Sequence, residues 1–274
     1  MTSTRTVLPG FGPRMADGGA GGYEAPGPGS FELPGFFEVA GAPVTKPMFQ
    51  LVLGAVLVFG FFWMASRRAS LVPGRLQFGG EGAYNLVRNS MARDIIGSRD
   101  YMRFVPYLFA LFFFILVNNI FASFPGIQFP TFSRASMAYA LAALSWVIYN
   151  AVGIHKHGLG GYLKLQTVPS GVSPFMYPLL VPLEFFSNIL VRPVTLALRL
   201  FANMFAGHLL LILFATGGLW LVEYGGAIGL VAGPLAWVLA VAISFLELLV
   251  QFLQAYVFVL LNAMYIQGAL ADEH

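Results

Sequence analysis

An arginine, a histidine, a glutamate and several side-chain amides lie in the most apolar part of this 274-residue chain. Arg199 and His208 fall within PVTLALRLFANMFAGHLLLILF, residues 193–214, and Glu247, Gln251 and Gln254 lie in the last long apolar run. Insertion scales put an arginine at the centre of a membrane helix at a cost of about 2.5–3.5 kcal/mol, so such residues face other protein or water and mark ion or substrate paths. A guanidinium does not shed its proton, so Arg199 is a fixed charge and not a relay. An imidazole titrates near neutral pH, so His208 beside a carboxylate in a wet cavity can pass protons.

Spacing decides which of these residues share a surface. Steps of three, four or seven residues keep one helix face. Thr195, Arg199 and Asn203 then form one stripe, which Asn188 and Arg192 extend. His208 is nine residues from Arg199 and falls on the opposite face. Glu247, Gln251 and Gln254 form a second stripe on the last helix. Two long helices in a hairpin would thus present Arg199 on one side and bring His208 towards Glu247 on another. Other readings stay open on spacing alone. Arg192 can snorkel to the cytoplasmic interface. Glu184 can cap a helix or line the cytoplasmic entrance. His208 can be a satisfied interior histidine, and Arg199 can form a purely structural ion pair with Glu247. His155 and His157 read as loop residues.

These residues need elements to carry them. The chain is 58% hydrophobic and 10% charged, with mean hydropathy +0.75, where a soluble domain would hold about 25% charged residues. The composition is that of an integral membrane protein. The net charge of +3 does not point to nucleic acid, because the basic residues cluster in one loop: residues 67–103 hold Arg67, Arg68, Arg75, Arg88, Arg93, Arg99 and Arg103. The positive-inside rule puts that loop in the cytoplasm and the N-terminal tail outside. With no cysteine, Cys-ligated zinc, haem and iron–sulfur centres are excluded, and four histidines without ligand-like spacing argue against a metal. No nucleotide-binding loop is present, and no cofactor is expected.

Apolar runs predict an all-α membrane fold of about five segments. The first is 47–66; part of 78–97 reads as an amphipathic helix on the membrane surface or a solvated connecting helix. The second span, 105–126, carries Asn118 and Asn119 near its outer end and stops at Pro125; the third is about 134–154. A Gly/Pro-rich cytoplasmic loop is expected over 155–176, with Pro169 and Pro174 as breakers. Residues 178–215 are apolar for about 55 Å of helix, against a hydrocarbon core of roughly 30 Å. That segment must tilt, kink or break, with Pro182 and Pro193 as candidate kinks. TGGLWLVEYGG is expected to make the outer turn, and the last segment, about 227–268, is equally overlong. The last two segments together should form a long, tilted hairpin, with the C-terminus ADEH in the cytoplasm. Residues 1–44 read as a Gly/Pro-rich external tail, without the apolar core of a signal peptide, and 45–274 as the polytopic membrane domain. No internal repeat stands out, which weakens an inverted-repeat transporter.

PVTLALRLFANMFAGH, followed by ELLVQFLQAYVFVLLNAMYI, closely resembles subunit a of the F-type ATP synthases. NNIFASFP at the end of the second span is similar to the family's Asn…Pro motif, and the resemblance covers about 47–274. The loop and helix ends resemble those of bacterial members, actinobacterial ones in particular. The resemblance implies a stator in the cell's inner membrane, beside a rotating ring of subunit c and a peripheral stalk with subunit b. Arg199 matches the family's essential arginine, and Asn203 and Gln254 match polar residues near it. His208 and Glu247 match a pair in the half-channel open to the outside; many bacterial relatives hold the two residues the other way round. Thr195, Gln251 and Glu184 are carried as further candidates for the proton path. The implied mechanism passes protons through two half-channels to and from ring carboxylates, with Arg199 between them. Rival classes are a stand-alone proton channel or secondary transporter, which would move ions alone, and a membrane scaffold, whose polar residues would tolerate apolar replacement.

Overall fold

The computed structural model describes residues 23, 26–27, 37–39, 42–67, 74–124, 130–168 and 174–271. Expectations for most of the tail, for Pro125 and Pro169, and for residues 272–274 lie outside the described residues. Six helical elements follow one another. α1 is Lys46–Ser66, α2 covers 75–96, α3 is Tyr101–Ile120, α4 is Ala135–Thr167, α5 is Tyr177–Tyr224 and α6 is Gly226–Leu270. All but α2 are long and apolar enough to cross a membrane. Among the described residues the exception to helix is a short antiparallel ribbon, β1 (Phe37–Val39) against β2 (Ala42–Val44), just before α1.

The apolar runs become helices because a helix satisfies its backbone within one segment inside lipid. Their inward stripes meet in one core. Val105, Leu108, Phe112 and Ile115 of α3 pack with Ala138 and Ala142 of α4, and with the inner faces of α5 and α6. Leu196, Ala197, Leu200 and Met204 make the inner face of α5, and Ala255, Phe258, Val259 and Ile266 that of α6. α2 is more than a helix resting on the membrane surface. Val87, Met91 and Ala92 are fully buried, and the helix packs on α3 and the last part of α6.

Three expectations are corrected. The helix after the third span runs on through most of the expected loop. α4 breaks only at Gly158, whose φ of 71° lies in the left-handed region that glycine enters without penalty. Beyond that break Tyr162 folds back onto Gly153, where any Cβ would collide with its ring, and the Tyr162 hydroxyl donates to Asn150 Oδ1 at 2.9 Å. TGGLWLVEY is likewise helical; the turn is confined to Gly225 and Gly226, with φ of 58° at Gly226. Finally, the kink expected at Pro182 or Pro193 is a widened π-type stretch between them, Phe186–Val191. Such stretches are rare and concentrate at functional sites.

α5 and α6 are 48 and 45 residues long, which is about 70 Å each at 1.5 Å per residue. Both exceed the hydrocarbon core more than twofold, so they must run obliquely. Small residues let them approach. A Cβ on Gly218 would stand 2.6 Å from Trp237 Nε1, and Cβ atoms on Gly229 and Gly233 would strike the Leu221 carbonyl oxygen and the Val222 side chain. Trp237 Nε1 donates to the Ala215 carbonyl at 3.2 Å, which locks the register. Gly229→Ala is expected to lower stability by about 1–3 kcal/mol through overpacking. Gly268, with open space around its α-carbon, is the control: Gly268→Ala should leave the thermal midpoint unchanged or raise it.

Candidate functional site

The hairpin register carries the polar residues past one another in order. Going down from the outer turn, α6 presents Glu247 to His208, Gln254 to Asn203, and Tyr265 to Arg192. Glu247 Oε1 lies 3.8 Å from His208 Nδ1, and both side chains are buried. That is an ion-pairing distance, longer than a direct hydrogen bond. Gly207, next to the histidine, leaves room for the carboxylate: a Cβ there would lie 3.5 Å from Glu247 Cγ. Asn203 Nδ2 donates to Gln254 Oε1 at 2.6 Å, joining the two helices about one and a half turns below the pair.

Arg199 sits elsewhere. It is exposed on the outer face of the hairpin, as is Thr195 one turn earlier. A shallow groove of about 390 Å³ runs beside it, lined by Asn203, Val250, Leu253, Gln254 and Val257. The surface around it is apolar, with Val194, Leu198, Leu249 and Leu253 all exposed. Among the described residues no carboxylate lies within ion-pairing distance of Arg199, so the structural Arg199–Glu247 pair is not formed. Thr195 Oγ1 donates within its own helix, to the carbonyls of Val191 and Arg192, and reaches no other candidate.

The second stripe divides. Gln251 is fully buried and points away from α5: its side-chain Nε2 donates to Ser123 Oγ at 2.9 Å, and its backbone carbonyl accepts from Asn119 Nδ2 at 3.2 Å. Glu247 Oε1, Gln251 Oε1, Asn119 Oδ1 and Gln254 Nε2 are all buried with no hydrogen-bond partner among the described residues. Buried polar atoms are ordinarily satisfied by protein or water. A line of partnerless ones along α3 and α6 therefore suits a hydrated path.

The cytoplasmic continuation of the first stripe also departs from expectation. Asn188 does not extend the face of Thr195 and Arg199, while Arg192, one regular seven-residue step before Arg199, finds partners on the neighbouring helices. Asn188 Nδ2 donates to the Gln166 carbonyl at 2.7 Å and to Glu184 Oε2 at 2.8 Å. Arg192 donates to Gln166 Oε1 at 3.4 Å and lies over the Tyr265 ring, 5.3 Å from its centre. Both are half-buried against α4 and α6. The wide turn at 186–191 changes the angular phase, so the seven-residue step from Asn188 to Thr195, which crosses it, no longer keeps one face. Glu184, Asn188, Gln166 and Arg192 make a separate polar group below Arg199. Sequence spacing had not singled out Gln166, Ser123 or Tyr265. Asn119 carried a usable signal, as an amide in an apolar span; Gln166 lay in an expected loop.

Among the described residues no group of histidines and carboxylates could hold a metal ion. A larger hollow of about 1110 Å³ lies between α1, α2 and α3, lined by Phe59, Phe62, Trp63 and Phe109 among others, and none of the candidate residues reaches it.

Comparison with known proteins gives this arrangement a context. The family model described as ATP synthase A chain matches residues 48–267. "ATP synthase subunit a" of Nocardioides sp. (strain ATCC BAA-499 / JS614) is 62% identical over 271 residues, covering 95% of this chain and 97% of that protein. The protein of the same name from Pseudarthrobacter chlorophenolicus is 48% identical over 257 residues, covering 93% and 96%. That from Streptomyces lividans is 40% identical over 230 residues, covering 84% and 80%. With five apolar helices, two of them overlong, and a family match across nearly all of them, the chain belongs to the ATP synthase A chain family, the multi-pass subunit a of a proton-transporting ATP synthase.

Proposed function

We propose that the chain is the stator of the membrane sector and passes protons through two half-channels to and from carboxylates on a rotating ring of subunit c. The observation that carries this reading is the position of Arg199. It stands on an exposed, apolar face with no carboxylate within ion-pairing distance among the described residues, while the buried His208–Glu247 pair lies on the other side of the same helix.

A lone cation on a lipid-level surface is tolerable if its partner comes from another subunit. A ring carboxylate arriving in the groove beside Arg199 would meet an opposite charge, which favours its ionised form. It would release its proton there, towards the cytoplasm, past Glu184 and Asn188. The fixed guanidinium also repels any proton crossing directly between the two channels. From the outside, protons reach the ring past His208 and Glu247, whose imidazole and carboxylate can exchange one. Gln251, Asn119, Asn203 and Gln254 supply hydrogen bonds along that route, and Thr195 flanks the arginine. Each proton moved down 100 mV supplies about 2.3 kcal/mol, so several are needed per ATP.

The same reading sets the topology. The arginine-rich segment over 67–103 belongs in the cytoplasm, which leaves the N-terminus outside and the C-terminus inside the plasma membrane. Residues 1–44 are then an external tail and 45–274 the membrane domain. Subunit b of the peripheral stalk is the second protein partner.

Arg199→Ala is expected to abolish ATP synthesis in vesicles energised by a proton gradient, with assembly of the complex intact; normal coupling would overturn the reading. Exchanging the pair, His208→Glu with Glu247→His, should keep part of the proton flux. Loss of all flux in the double variant but in neither single one would contradict the paired role. A stand-alone channel or transporter would instead conduct from liposomes holding this chain alone, which the stator does not.

A further inference from the structure

α5 contains a defect that a neighbouring helix repairs. Where α5 returns to regular α-helical winding, the carbonyl of residue 189 would accept from the N–H of residue 193. Residue 193 is proline, which has no N–H. The Ile189 carbonyl instead accepts from Trp146 Nε1 of α4 at 2.9 Å. This contact falls at the junction between the wide turn Phe186–Val191 and the regular helix that starts at Arg192. The turn is π-type to its end, since the Arg192 N–H bonds to the Ser187 carbonyl, five residues back. The indole is therefore an external donor to the stretch through which the backbone of α5 returns to regular winding.

Winding there sets where Arg199 points. From Ile189 to Arg199 is ten residues, about 15 Å of rigid helix. By simple lever geometry, a change of about 10° at the junction swings the guanidinium by about 2–3 Å. Displacements of about 1 Å in a reacting site can cost up to about a hundredfold in rate. The same turn rotates Asn188 onto Gln166 of α4, out of the Thr195–Arg199 face. Arg199 makes no ion pair of its own among the described residues, so its position depends on the helix that carries it. We infer that Trp146 is a positioning residue for Arg199, acting through the hydrogen bond that takes the place of the missing Pro193 amide. This rests on the proposed role of Arg199 in proton transfer.

The test uses the assembled complex in inverted membrane vesicles and reads ATP-driven proton pumping per assembled complex. Trp146→Phe keeps an aromatic ring but removes the donor, and should lower pumping about fivefold, the worth of one hydrogen bond. Pro193→Ala restores the backbone N–H. The double variant Trp146→Phe/Pro193→Ala should therefore regain pumping to within about twofold of Pro193→Ala alone, since the helix now satisfies Ile189 itself. A packing role for the indole would not be rescued this way. Full pumping by Trp146→Phe, or no rescue in the double variant, overturns the inference. Should Trp146→Phe fail to assemble, assembly of the double variant supports the inference and its failure overturns it. Arg199→Ala, assayed alongside, separates the two readings. If it pumps normally, the role of Arg199 fails; if it is dead while Trp146→Phe pumps fully, only the role of Trp146 fails.

Discussion

A guanidinium keeps its charge under all physiological conditions, and Arg199 holds one on an apolar, outward-facing helix surface. Lipid alone cannot satisfy it without the cost that makes intramembrane charges rare. Burial in this chain would have been the simpler solution, and the residues for it are present. Glu247 lies on the facing helix, yet it is turned to His208 at 3.8 Å. The hairpin thus turns Glu247 to an imidazole and leaves its outward cation without a carboxylate among the described residues. A permanent internal ion pair would neutralise the charge that the proposed mechanism needs.

The rest of the fold follows from the need to hold that hairpin. Gly218, Gly229 and Gly233 let α5 and α6 touch near the outer turn, and Trp237 fixes their register through the Ala215 carbonyl. Everything below falls into line: His208 with Glu247, Asn203 with Gln254, Arg192 with Tyr265. α3 and α4 cover the inner face with apolar side chains. They also lend polar ones where the hairpin needs them: Asn119 for Gln251, Gln166 for Asn188, Trp146 for Ile189. Behind this, the Tyr107 hydroxyl lies 3.1 Å from Ser145 Oγ and 3.4 Å from Asn262 Oδ1, tying α3, α4 and α6 together.

Much of the scaffold was legible because membrane spans are a matter of length and apolarity. The first span, expected at 47–66, is Lys46–Ser66, and the two overlong segments are overlong. Opposite faces for Arg199 and His208 could be read from nine residues of regular helix, because nothing interrupts α5 between them. What failed depended on neighbours. The winding between Pro182 and Pro193 is π-type over Phe186–Val191, beside a proline without an amide and an indole from another helix, so a constant helical period misplaced Asn188. Helix continues past Gly158 because Tyr162 finds Gly153 and Asn150 to pack on, which composition alone does not report. The glycines in TGGLWLVEYGG looked like one turn, but only Gly225 and Gly226 make it, and Gly218 serves close helix contact.

The central claim is that the groove beside Arg199 faces a carboxylate-bearing rotor, and cysteine crosslinking tests it most directly, because the chain has no cysteine of its own. Leu253 is exposed and lines that groove; Phe59 is exposed on α1, away from it. With a second cysteine placed one turn from the ring carboxylate, Leu253→Cys should form a disulfide with the ring under mild oxidation and Phe59→Cys should not. No crosslink from Leu253→Cys, or equal crosslinking from both positions, would contradict the account.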